Sequence, residues 1–206
     1  MANITKIFLG LAFGLFTEQI AQSQGAITYL SNLSGPSITN ISNARTGFIT
    51  GTNAGGYVLN AIKLAMDNPI DTPNSFTVTI YEVTNSPGGD QPGDEYIGTL
   101  NGPVPLTAGV YTYVPASQLI LLPDSGYQLF EAGGGSGSFK WSVTMGSQYF
   151  ISLGGWSDGD EASPPNILFS PQYAIIATPV PEPKLCYLFA LGGMGIFFRI
   201  RIPRIE

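Results

Sequence analysis

The stretch Phe76-Thr77-Val78-Thr79-Ile80-Tyr81 sets apolar and polar side chains in strict turn. A period of two gives one apolar and one polar face only if the backbone is extended, so this run reads as a half-buried strand with Phe76, Val78 and Ile80 inward. The same pattern recurs. Phe139, Trp141 and Val143 share a face, as do Tyr111 and Tyr113 within Val110 to Val114, and Ile62, Leu64 and Met66 with Lys63 opposite. Turn chemistry separates these runs: Asn53-Ala54-Gly55-Gly56, Asp67-Asn68-Pro69, Asn101-Gly102 and Pro123-Asp124-Ser125-Gly126. No amphipathic helix and no internal repeat interrupt them. About ten short strands so spaced predict an all-β fold, an antiparallel β-sandwich of jelly-roll type.

Taken in order, Ala26 to Gly47 is expected to hold one or two edge strands, followed by a strand from Arg45 that ends before Asn53. Tyr57 to Met66 is expected to stop at the Asp67-Asn68-Pro69 turn. Asn85 to Asp94 reads as a loop, then Tyr96 to Leu100 as a strand. Leu119 to Leu122 precedes the turn that opens Tyr127 to Phe130. Gly133 to Gly137 reads as a flexible hairpin connection; it lacks the Lys-Ser/Thr pair of a phosphate loop. Tyr149 to Leu153 and Tyr173 to Ala177 complete the strands, and Thr178 to Pro183 reads as a linker.

Both ends differ from this body. Residues 1–25 fit a secretory signal peptide: Lys6, the apolar run Ile7 to Phe16, then the small-x-small steps Ala21-Gln22-Ser23 and Ser23-Gln24-Gly25. The alternative there is an ordinary amphipathic helix. Residues 179–206 begin with Pro181-Glu182-Pro183, continue through the uncharged run Leu185 to Phe198, and finish with Arg199, Arg201 and Arg204. The prolines fix φ and remove donors, so a helix cannot run through the motif. Fourteen helical residues reach about 21 Å, short of the ~30 Å hydrocarbon core; with Ile200 and Ile202 and snorkelling arginines the reach is about 27 Å. This predicts a short or transient membrane helix with its basic end on the cytoplasmic side. A buried core helix is the alternative, and the proline break and flanking arginines weigh against it. Residues 26–178 remain as one extracellular domain with room for a proper core.

The order of Pro181, Glu182 and Pro183, the apolar run and the three arginines resembles the PEP-CTERM sorting signal of Gram-negative bacteria. The resemblance implies recognition by exosortase, a membrane protease, and delivery to the cell surface or the exopolysaccharide matrix. The final Ile205-Glu206 departs slightly from members that end nearer their arginines. A second resemblance covers about Asn32 to Tyr173. Leu59 to Leu64, Phe76 to Tyr81, Ile97-Gly98-Thr99-Leu100, Leu119 to Leu129 and the Gly/Ser loop before Trp141-Ser142-Val143-Thr144 look like the choice-of-anchor R domain. Such bacterial surface domains occur with alternative C-terminal anchors. The family assigns no ligand and no catalytic residue.

Charge narrows the function classes. Between Ala26 and Pro183 only Arg45, Lys63 and Lys140 are basic, against twelve acidic residues. An acidic domain lacks the cations that bind phosphates, which argues against nucleic acid and anionic lipid as partners. The chain has no histidine, which removes Ser-His-Asp and Cys-His nucleophiles and the common zinc sites. Its one cysteine, Cys186, lies in the tail, so the domain has no internal disulfide. The sequons at Asn32 and Asn40 mean little in a bacterial chain.

Three constellations remain. Asp158, Asp160 and Glu161 form an acidic loop that offers oxygen ligands to Ca²⁺. It lacks EF-hand spacing, and a solvated acidic turn is the preferred reading; no cofactor is expected. Asp90, Asp94 and Glu95 form a second such loop. A pair of these carboxylates suits glycoside hydrolysis only if they converge across a cleft. Among the aromatics, Trp141 reads as core, while Trp156, between Gly155 and Ser157, is the candidate for an exposed sugar contact. The reading is a non-enzymatic structural or adhesive surface protein. A carbohydrate-binding module for extracellular polysaccharide is the alternative, and a glycoside hydrolase the more distant one.

Overall fold

The computed structural model describes residues 25–42, 45–71, 75–84, 93–134, 138–145, 147–159 and 169–181. Among them run fourteen strands: β1 (Ile27–Ser31), β2 (Thr39–Ile41), β3 (Arg45–Ile49), β4 (Tyr57–Ile70), β5 (Ser75–Thr84), β6 (Gly93–Asn101), β7 (Gly109–Pro115), β8 (Ile120–Leu121), β9 (Gly126–Gly134), β10 (Ser138–Met145), β11 (Ile151–Ser152), β12 (Ser157–Asp158), β13 (Phe169–Pro171) and β14 (Tyr173–Pro179). The helical content of the described residues is one 3-10 turn, Ser147–Tyr149, and none of their helices is long and apolar enough to cross a membrane.

The strands hydrogen-bond in the order β11-β1-β14-β4-β7-β6-β5-β9-β3-β12, and the pairs along this path are antiparallel. β8 and β10 also pair with β4, and β2 and β13 with β10. The path bends at β6–β7, which share only the register Leu100↔Pro115 and Asn101↔Val114. At the far side the chain crosses from β11, beside β1, to β12, beside β3, so the folded-over sheet is nearly closed. Leu30, Ile62, Leu64, Trp141 and Ile175 from one layer meet Phe48, Val78, Ile80 and Leu129 from the other in a single buried cluster. Phe76 of β5 packs on Tyr113 of β7 and Phe139 of β10 across that interior.

β4 holds the first layer together. Along one edge it pairs with β14 and then β10, and along the other with β8 and then β7. A bulge opposite Ile176 and Ala177 lets Ala61 and Ile62 both be buried. An extra residue reverses the alternation. Tyr57 and Leu59 before the bulge therefore share the inner face with Ile62, Leu64 and Met66 after it.

Several expectations need correction. β4 does not stop at Met66; it continues through Asp67-Asn68-Pro69 to Ile70 against β10. Pro69 is tolerated because the β4–β10 register slips there, between Ser138 and Lys140, where a ladder donor is not required. Ala26 to Gly47 supplies the interior strand β1 as well as β2 and the start of β3. Gly133 and Gly134 belong to β9, paired with Phe76 and Ser75, rather than to a loop. A Cβ on Gly133 would run into the Phe139 ring, so the bare backbone makes room for that aromatic. The fold also extends past Thr178: Val180 N–H donates to Gly56 O at 2.9 Å, and Asn53 Nδ2 to Val180 O at 3.0 Å.

Candidate functional site

Trp156 is not an exposed platform. It is 2 % exposed and lies between the Tyr29 ring at 5.1 Å and the Phe48 ring at 5.8 Å, both nearly parallel to it, with Tyr57 edge-on at 4.9 Å. The glycines that suggested a solvent loop do the opposite. Gly154 and Gly155 have φ of 60° and 80°, and Trp156 N–H donates back to Leu153 O at 3.2 Å. Two left-handed residues reverse the chain in a tight turn and carry the indole into the interior. The turn spans the gap between β11 and β12, so Trp156 closes the open side of the sheet. Trp141 is core as expected, its Nε1–H donating to Gln172 O at 2.8 Å.

Of the acidic trio, Asp158 lies in β12 with its Oδ1 3.2 Å from the Tyr173 hydroxyl, which donates to Gly47 O at 2.9 Å. Asp160 and Glu161 fall outside the described residues, as do Asp90, Glu182, Pro183, Arg199, Arg201, Arg204 and the signal segment. Among the described residues no three His, Cys, Asp or Glu side chains gather as metal ligands. Pro181 is exposed. Asn32 is fully buried and accepts from Tyr173 N–H at 2.7 Å while its Nδ2 donates to Pro171 O at 2.8 Å, so this sequon asparagine is structural.

The second layer presents a patterned outer face. Cross-strand register aligns Arg45, Phe130, Thr79 and Thr99 in one row of outward positions, and Gly47, Gln128, Tyr81 and Tyr96 in the next. Tyr96 is 55 % and Phe130 39 % exposed. The Tyr81 and Tyr96 rings meet edge-on at 5.7 Å, and the Tyr96 hydroxyl lies 2.7 Å from Thr99 Oγ1. A depression of about 490 Å³ reaches this face at Gln128; Gly47, Ile49, Val83 and Gly126 line it, together with Glu82, Asp124, Ser125 and Gly159 and with the buried Phe48 and Tyr127 of the inner face. Gly47 and Gly126 stand at outward strand positions in that lining, and a Cβ on Gly126 would meet the Val83 side chain at 3.5 Å. Thr50 braces the adjoining turn: its Oγ1 donates to Leu122 O at 2.6 Å and accepts from Ser125 N–H at 3.0 Å. The size is that of a small-molecule or single-residue subsite.

Burial governs the electrostatics nearby. It pushes the Tyr127 phenol up from 10.0, with Glu82 adding to the rise and the Leu122 N–H opposing it. Tyr29 is raised by burial and by Tyr57, and Tyr113 by burial, then Tyr111 and Glu131. Glu131 itself is buried on the inner face of β9, in phase with Tyr127 and Leu129. The alternation Tyr127-x-Leu129-x-Glu131 carried that signal. The outer face was equally readable from the residues between, but aligning them into rows needed the register. Family models, curated proteins and solved structures contain no match to this chain.

Proposed function

We propose that this is an exported, non-enzymatic surface protein with a structural or adhesive role at the envelope or exopolysaccharide matrix of a Gram-negative bacterium. It is delivered there by a PEP-CTERM-type tail that an exosortase-like protease recognises. The observation that carries the reading is the order of Pro181-Glu182-Pro183, an uncharged run and three arginines after the last strand. The exposure of Pro181, two residues after β14, supports it, because a protease needs access to the start of the motif. The tail holds the protein in the membrane until processing. The two-layer antiparallel architecture supports a jelly-roll-type sandwich, a fold class suited to an extracellular module without disulfides.

The test replaces Pro181, Glu182 and Pro183 by alanine in the native host and follows the protein between membrane and surface fractions. Wild type is expected at the surface and the variant in the inner membrane. Equal surface delivery of both contradicts the proposal.

A further inference from the structure

We propose that the outer face of the β3-β9-β5-β6 layer binds a neutral polysaccharide, with Tyr96 and Phe130 stacking on sugar rings and the depression that opens at Gln128 holding one residue of the chain. The inference deepens the matrix role proposed above by giving it a contact surface; the binding itself is independent of how the protein is exported.

Three observations converge. First, the exposed aromatics do not form a continuous greasy patch. They alternate with Arg45, Thr79, Thr99 and Gln128 across hydrogen-bonded rows, Arg45 being the one charged residue in those rows. A sugar ring has an apolar C–H face and a rim of hydroxyls, and a surface interleaving flat rings with amide and hydroxyl groups matches both. A protein partner would favour a dry apolar centre instead. Second, the depression shares Gly47 and Gln128 with the second row and is of suitable volume, about 490 Å³, with a braced turn at its edge. A preformed site avoids the cost of ordering on binding. Third, Glu82 and Asp124 line the depression within a domain that is strongly acidic. That charge repels a polyanion and leaves a neutral chain as the fitting occupant.

The test is affinity electrophoresis of the full chain in mild detergent, through gels cast with xyloglucan, galactomannan, hydroxyethylcellulose or dextran, and with alginate as the polyanion. Wild type is expected to be retarded by at least one neutral polymer and not by alginate. Tyr96→Ala and Phe130→Ala should each weaken retardation about tenfold. Gly126→Val fills the depression; its φ is not left-handed and a Cβ there meets Val83 at an ordinary 3.5 Å, so the fold should stand while retardation is lost. Thermal unfolding of each variant checks that. No retardation in any neutral gel, retardation by alginate instead, or retardation unchanged in all three variants overturns the proposal. So does self-association in sedimentation that these substitutions abolish, which would make a second copy the occupant. The tail variant should bind as wild type does, so failure here and failure of sorting are separable.

Discussion

Trp156 shows how much one side chain can decide. It stacks on Tyr29 from one layer and Phe48 from the other, and so ties together the two sides that strand pairing among the described residues leaves open. Truncating a buried aromatic of this kind typically costs about 3–5 kcal/mol, so Trp156→Ala should lower the denaturant midpoint sharply. Among the described residues its Nε1–H has no acceptor, unlike that of Trp141. Trp156→Phe keeps a stacking ring and removes a buried donor, so urea titration should find it markedly less destabilising than Trp156→Ala. Equal losses would contradict the interleaved stack. The phenols give a second handle. Tyr29, Tyr113 and Tyr127 are all raised above 10.0 in the fold, chiefly by burial. Below pH 10 both states keep these protons and the contribution is intact. Above it the unfolded chain loses them first, the native state binds more, and stability falls as pH rises. The tyrosinate absorbance of these three should therefore appear together with unfolding above about pH 10, and Tyr29→Phe, Tyr113→Phe and Tyr127→Phe should remove that part of the signal.

Among the elements, the Leu153–Trp156 turn and β4 carry the architecture. Gly51 sits against that turn: a Cβ there would run into the Gly154 carbonyl oxygen and approach the Tyr57 hydroxyl to 2.8 Å. Neither neighbour can yield without disturbing the Trp156 stack, so Gly51→Ala should destabilise by about 1–3 kcal/mol in the same urea titration. These elements also mark where the chain can be read and where it cannot. Phe76 to Tyr81 and Phe139 to Val143 were legible because strict alternation admits one local answer. The continuation of β4 through Asp67-Asn68-Pro69 was not, since those residues have turn chemistry and only the long-range partner β10 holds them extended. Gly133 and Gly134 misled for the same reason. Trp156 misled because glycines in a tight inward turn and in an open loop look alike until φ is known. For the candidate site, the outward residues were visible strand by strand. Their alignment was not, because register is set by pairing between β3, β9, β5 and β6, which are distant in sequence.

At the scale of the whole molecule, a nearly closed all-β domain keeps its chain tied as far as Val180, which is still hydrogen-bonded to Gly56. Pro181-Glu182-Pro183 follows at once in the sequence, so the proposed sorting motif begins directly after the last tied residue. On the proposed reading, the module folds outside the membrane while its last residues are read by a protease within it, and the outer face of the β3-β9-β5-β6 layer is the surface with which the released domain would hold a polysaccharide. The most direct measurement is the intact mass of the protein recovered from the cell surface, for wild type and for the chain with Pro181, Glu182 and Pro183 changed to alanine. Wild type should lack the mass of the residues beyond the motif, and the variant should retain them and stay with the inner membrane. A full-length tail on surface-exposed wild type, or the same loss in both proteins, would contradict sorting through this signal.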